Sequence, residues 1–257
     1  MFQGDFAAAA QTAAGKAAVF RKDWRKYLLA SVLAGFYIGL GVLVMSTSGG
    51  VLSTIGHPFA KLANAFVFPA ALSLVVFAGA ELFTGNVFVM TAGIAGKTVR
   101  GGEVLRILLL SYLGNFLGSL LCAFLFSATG LLSGGTAAFL VSTAETKMSL
   151  SVAELLSRGV FCNILVCLAV WCCTRMKSES GKLIMIFWCI FTFVVCGFEH
   201  SIANMTLLSL SLLAPHGPEL SLMGMAYNLL FVTIGNILGG VLVVGGAYVF
   251  LGRERAA

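Results

Sequence analysis

Six apolar runs, each roughly 18 residues or longer, alternate along the chain with short polar joints, near 27–45, 63–91, 104–126, 156–173, 183–213 and 225–251. Such a run is long enough to cross a bilayer as a helix. The joints are too short for an extramembrane domain, so 1–257 reads as a single all-α membrane domain. Two runs, 63–91 and 183–213, are roughly 30 residues long, where about 20 suffice. Each holds a glutamate followed by small or helix-weakening residues: Glu81 before Thr84-Gly85-Asn86, and Glu199 before Ser201-Ile202-Ala203-Asn204. This predicts broken second and fifth helices, unwound just after the glutamate near mid-membrane. Irregular backbone survives there only when buried in protein or lining a cavity. The half-helix N-termini then offer amides and a positive dipole end to an anion.

The two glutamates belong to a repeat. Gly79-Ala80-Glu81-Leu82-Phe83-Thr84-Gly85-Asn86 matches Gly197-Phe198-Glu199-His200-Ser201-Ile202-Ala203-Asn204: Gly, Glu two residues on, Asn five after that. Leu113-Gly114-Asn115-Phe116-Leu117-Gly118 likewise matches Ile234-Gly235-Asn236-Ile237-Leu238-Gly239. Spans one to three (27–126) thus correspond to spans four to six (156–251). An odd number of spans per half makes the halves cross in opposite senses, an inverted repeat with a transport path at its interface. Gly114/Gly118 and Gly235/Gly239 also suit close helix approach.

Composition narrows the class. The chain is 59% hydrophobic and 10% charged, which no soluble domain of this size matches. Its charge of +6 is a topology signal and not a sign of nucleic-acid binding. Lys16, Arg21, Lys22, Arg25 and Lys26 precede the first span; Lys97, Arg100 and Arg106, then Arg175, Lys177 and Lys182, then Arg253 and Arg255 follow on the same face. The other face has Lys61, Lys147 and Arg158. Positive residues mark the cytoplasmic side, so both termini are expected inside, in a cytoplasmic (inner) membrane. In the N-terminal stretch the basic cluster follows the apolar part, the reverse of a secretory signal. Residues 1–26, with Phe6, Phe20 and Trp24 among Ala and basic residues, suit a helix lying on the cytoplasmic membrane surface. The seven cysteines all fall within spans, at no zinc or haem spacing, and read as small packing residues. No cofactor or metal is implied.

Among the polar groups, Glu81 and Glu199 read as supports that accept amides from the broken segments, since an unsatisfied amide in lipid costs several kcal/mol. His200 falls at the second break, where a buried imidazole can donate a hydrogen bond or gain a proton near pH 7. Thr84 is the polar group of the first break. Lys147 is either a solvated loop residue or part of an anion-attracting vestibule. Asn163 is either an interhelical hydrogen bonder or a pore group. His57 and His216 sit in loops and read as bland.

The two glutamate motifs, with Arg158-Gly159-Val160-Phe161-Cys162-Asn163, resemble the formate/nitrite transporter family over essentially the whole chain, and within it most resemble the hydrosulfide ion channel members. The resemblance implies an aquaporin-like fold of inverted three-plus-three repeats and a homopentamer with one pore per protomer. It implies that His200 is the central pore histidine, Thr84 its partner, Asn163 a pore-side group and Lys147 the vestibule lysine. Leu82 and Phe193 would form the external constriction with Phe68. Leu72, with Phe83 nearby, would narrow the cytoplasmic side, and Lys16 would lie at the cytoplasmic mouth on a gating helix. Asn86 and Asn204 would support the breaks with Glu81 and Glu199. Where some formate channels have Ser after the threonine, this chain has Gly85-Asn86, which disfavours formate as the main substrate.

The function so implied is passage of hydrosulfide, formate or nitrite through an apolar pore, with proton-coupled formate or nitrite transport as the alternative. Dehydrating an anion costs several kcal/mol. Either His200 lends a proton so that a neutral acid crosses, or it stays neutral and only hydrogen-bonds the anion. Partners would be small anions and membrane lipids. Rivals lack their signatures: there are no paired Asn-Pro-Ala boxes for a neutral-solute channel. There is one intramembrane histidine where an ammonium channel wants two, and no nucleophile–base geometry for an enzyme.

Overall fold

A computed structural model describes residues 2–54, 56 and 59–252; His57, Pro58, Arg253 and Arg255 lie outside the described residues. The described chain is helical: α1 (Gln3–Lys22), α2 (Trp24–Thr54), α3 (Ala60–Val67), α4 (Ala70–Ala78), α5 (Phe83–Ala95), α6 (Gly101–Ala128), α7 (Gly134–Ser149), α8 (Val152–Arg175), α9 (Glu179–Cys196), α10 (Ser201–Leu213), α11 (Leu222–Leu238), a π-helical turn (Gly239–Gly245) and α12 (Gly246–Gly252). Six helical stretches are long and apolar enough to cross a membrane, whereas α5 and α10, 13 residues each, are not. Asp23, Ser151, Ser178 and Ser221 accept backbone amides at the starts of α2, α8, α9 and α11, so the spans begin at short polar caps.

Both long runs are broken, but before the expected place. α4 ends at Gly79 (φ 77°) and α9 at Gly197 (φ 75°). Glycine takes this left-handed conformation without a Cβ penalty, which makes it the usual helix terminator. The unwound stretches are therefore 79–82 and 197–200, with each glutamate inside them. The small residues after each glutamate, read as the unwound part, instead form the first turns of α5 and α10.

The halves pack alike. α6 crosses α2 where Gly118 lies against the Val32 carbonyl, and the start of the π-helical turn that continues α11 crosses α8 where Gly239 lies against the Val160 carbonyl; a side chain at either glycine would strike backbone. The repeat also reaches one helix further than 27–126 and 156–251. α1 and α7 each precede a three-span unit, and each sends one lysine, Lys16 or Lys147, to the glutamate of its own unit.

Helix α1 is not simply laid on lipid. Its Phe6, Ala9, Ala13 and Ala17 are buried against a cluster containing Phe88, Met90, Trp171 and Val244. Thr98 donates to the Ala10 carbonyl at 2.8 Å, and Arg175 bonds Asp5 at 2.9 Å. Small alanines let this helix approach protein closely, so it closes one end of the bundle.

Candidate functional site

Each unwound segment is tied down by one asparagine from a neighbouring helix. Asn115 of α6 accepts the Phe83 amide at 2.9 Å and donates to the Glu81 carbonyl (3.0 Å) and the Ser31 carbonyl (2.7 Å). Asn236 of α11 accepts the Ser201 amide at 2.9 Å and donates to the Glu199 carbonyl (3.0 Å) and the Gly159 carbonyl (2.8 Å). The Glu81 amide donates to Ala30 (3.1 Å), and that of Glu199 to Arg158 (3.2 Å). These bonds satisfy the backbone that the breaks expose, as an apolar surrounding requires. Neither asparagine was singled out from the sequence for this work; their paired Gly-Asn context was the available signal.

The glutamate side chains do something other than accept backbone amides. Glu81 takes bonds from Lys16 Nζ (2.6 Å), Tyr27 Oη (2.9 Å) and Asn86 Nδ2 (3.0 Å). Glu199 takes bonds from Lys147 Nζ (2.7 Å) and Asn204 Nδ2 (2.6 Å). Asn86 also reaches Ser111, and Asn204 reaches Asn228. Each carboxylate is thus neutralised by a lysine and fixed by the asparagine five residues on.

The two breaks meet at the centre. His200 is the N-cap of α10: its Nδ1 accepts the Ala203 amide at 3.1 Å. In a neutral imidazole the proton then sits on Nε2, which lies 3.0 Å from Thr84 Oγ1 in the first turn of α5. Among the described residues nothing accepts from the Thr84 and Gly85 amides, so the α5 N-terminus keeps free donors beside the histidine. Phe193 stacks on the imidazole, with ring centroids 5.9 Å apart and planes 15° apart.

Three cavities line up through this point. One of about 410 Å³ is lined by Lys61, Asn64, Lys147, Phe68, Phe193 and His200. A void of about 10 Å³ follows, bounded by Phe68, Phe193, His200, Ile38, Leu72 and Leu82. Beyond Leu72 and Leu82 opens one of about 480 Å³, lined by Lys16, Glu81, Thr12 and Lys182. Phe68 and Phe193, 5.9 Å apart edge to face, separate the first pair of cavities; Leu72 and Leu82 separate the second.

Several expected placements change. Leu82 shares the central void with Phe68 and Phe193 and, with Leu72, also lines the cavity on the Lys16 side, so it borders two of the three cavities. Phe83 lines none of these three cavities; its ring packs edge-on against Tyr112 at 5.0 Å. Asn163 lines none either: its Nδ2 donates to the Thr84 (3.3 Å) and Asn236 (2.7 Å) carbonyls, joining the two halves. His216 bonds the neighbouring Gly217 carbonyl in a loop.

Comparison with known proteins decides the family. A model for the formate/nitrite transporter family matches residues 5–250. The chain belongs to the formate/nitrite transporter family. It is 38% identical over 223 residues to the nitrite transporter NirC of Salmonella typhimurium, covering 86% of this chain and 81% of that protein. Among solved structures it is similar to an FNT family ion channel (TM-score 0.92, 35% identity, 97% and 99% of the chains covered). It is also similar to a pentameric formate channel with formate bound (TM-score 0.77, 27% identity, 88% and 96% covered). This formate/nitrite transporter family is one of transporters and channels, and the chain's six apolar spans make it a membrane protein of that kind.

Proposed function

We propose that the protein is a channel for small monovalent weak-acid anions, hydrosulfide foremost, with formate and nitrite also admitted. The observation that carries this reading is the succession of lysine-bordered cavity, phenylalanine pair, His200–Thr84, leucine pair and second lysine-bordered cavity. Lysines border both mouths, with Lys16 and Lys147 each paired to the glutamate of its break. The apolar pairs strip water, and the histidine Nε2–H with the free α5 amides replaces it as donors. The void between the pairs, about 10 Å³, is near the size of one water. Hydrosulfide has one non-hydrogen atom, whereas formate and nitrite have three, so the void favours it.

In this reading His200 works as a neutral hydrogen-bond donor. Protonating Nδ1 would break its bond from the Ala203 amide, which costs about 1 kcal/mol of helix capping. The ion crosses between fixed donors without taking a proton from the protein. The Lys16 side is taken as cytoplasmic, with both termini inside the inner membrane, because lysine and arginine crowd that face. The protein is read as a homopentamer with one pore in each protomer, by likeness to the pentameric formate channel. Lipid or a neighbouring protomer would cover exposed Leu105, Leu109, Leu113 and Leu117 of α6.

Flux of hydrosulfide, formate and nitrite into proteoliposomes, compared at one pH, tests this. Hydrosulfide should run faster than either three-atom anion. Formate or nitrite outrunning hydrosulfide would refute the substrate order, and no flux of any of the three would refute the channel reading.

A further inference from the structure

The 410 Å³ cavity on the Lys147 side has two cationic residues in its lining, Lys61 and Lys147, and no carboxylate. They are not equivalent. Lys147 Nζ sits 2.7 Å from Glu199, so its charge is spent on holding the second break. Lys61 is exposed, and no carboxylate lies within ion-pair distance of it among the described residues. Sequence makes this a local certainty along its own segment: no Asp or Glu occurs between Asp23 and Glu81. Helix stability does not explain the residue either. Lys61 is the second residue of α3, at the end where the helix dipole disfavours a cation. Nearby, Glu145 and Glu219 line a separate surface cleft with Thr146 and Ser149, so an arriving anion also meets repelling charge on this face.

We infer that Lys61, and not Lys147, is the residue that captures permeant anions at this mouth, for small monovalent anions as a class. The inference rests on the anion-channel reading above. Its ammonium is the uncompensated charge on the lining of a low-dielectric funnel that leads to Phe68, Phe193 and His200, and such walls focus its field toward an entering anion. The effect is long-range attraction and not tight binding, so it raises entry rate at low anion concentration and leaves the narrow part of the path unchanged.

The test is hydrosulfide and formate flux at subsaturating concentration in proteoliposomes carrying wild type, Lys61→Arg, Lys61→Gln or Lys61→Glu. Potassium gluconate on both sides sets the ionic strength at about 0.01 M or about 1 M, where screening lengths are about 30 Å and 3 Å. At low ionic strength K61R should match wild type, K61Q should be slower by roughly two- to fivefold, and K61E slower still. At high ionic strength all four should converge. Equal rates for K61Q and wild type at low salt overturn the inference while leaving the channel reading intact. So does a K61Q deficit of the same size at high salt, which would mean a structural defect. Wild type that carries neither anion overturns both.

Discussion

The first and second halves of this protein are built on one frame and differ at its centre. In both, glycine at positive φ ends a helix, a glutamate lies in the unwound stretch, an asparagine from the third span ties the backbone, and a lysine from the preceding helix neutralises the glutamate. Superposing Glu81 on Glu199 puts Leu82 opposite His200 and Thr84 opposite Ile202. The polar pair at the centre, Thr84 and His200, therefore occupies positions where the halves do not match, with one partner from each. The matched positions hold the broken backbone, and the polar pair at the centre stands where the halves differ.

The shared part of the comparison carries the largest expected effects. Asn115→Leu and Asn236→Leu each remove three short hydrogen bonds to backbone in a buried setting. Each should cost roughly 3 kcal/mol or more, and thermal unfolding in detergent should show comparable losses for the two. A large loss in only one half would show that the breaks are not held alike.

The lysine–glutamate pairs should separate the halves. Glu199 and Lys147 side chains are 3% and 16% exposed, against 18% and 20% for Glu81 and Lys16. Breaking a buried pair costs about 3 kcal/mol or more, whereas a partly solvated one contributes about 1 kcal/mol or less. Glu199→Gln should thus lower the unfolding midpoint more than Glu81→Gln; the reverse order would place the rigid support in the first half.

The central asymmetry should appear in flux. Thr84→Phe places a ring against His200 and should abolish transport, while Thr84→Val, which removes only the hydroxyl, should lower it by about tenfold. Stopped-flow flux in liposomes reads both. If the valine variant ran at the wild-type rate, the Thr84 hydroxyl would have no part in passage. Smaller still, Leu82→Ala and Phe193→Ala should each raise flux by about twofold to tenfold by thinning one apolar pair, with loss of the preference for hydrosulfide over formate and nitrite. No change with Leu82→Ala would mean that the Leu72–Leu82 pair is not a barrier.

Much of this was legible in the sequence, for physical reasons. Charge-poor runs gave the spans, lysine and arginine crowding gave the expected orientation, and the paired Glu-x4-Asn and Gly-Asn segments gave the repeat. Other features were hidden. Gly79 and Gly197 were visible in the motif, yet only their positive φ shows that the helices end there and that Thr84, Gly85 and Asn86 are helical. That Leu82 also lines the Lys16-side cavity was hidden, because linear spacing does not say how many cavities a capping residue borders. Asn115 and Asn236 were visible only as members of the repeated Gly-Asn segments, since side-chain bonds to a distant backbone leave no periodic trace. The alanine stripe of α1 fitted lipid and protein equally well on composition alone.

The most direct test of the central claim, that a neutral His200 donates to the anion without lending a proton, is hydrosulfide flux against pH for wild type and His200→Asn. Asparagine can still cap α10 but cannot titrate. The variant should be slower with an unchanged pH profile, set by the hydrosulfide available in solution. A profile that flattens or shifts when the imidazole is removed would contradict it, and would make His200 a proton donor to the passing ion.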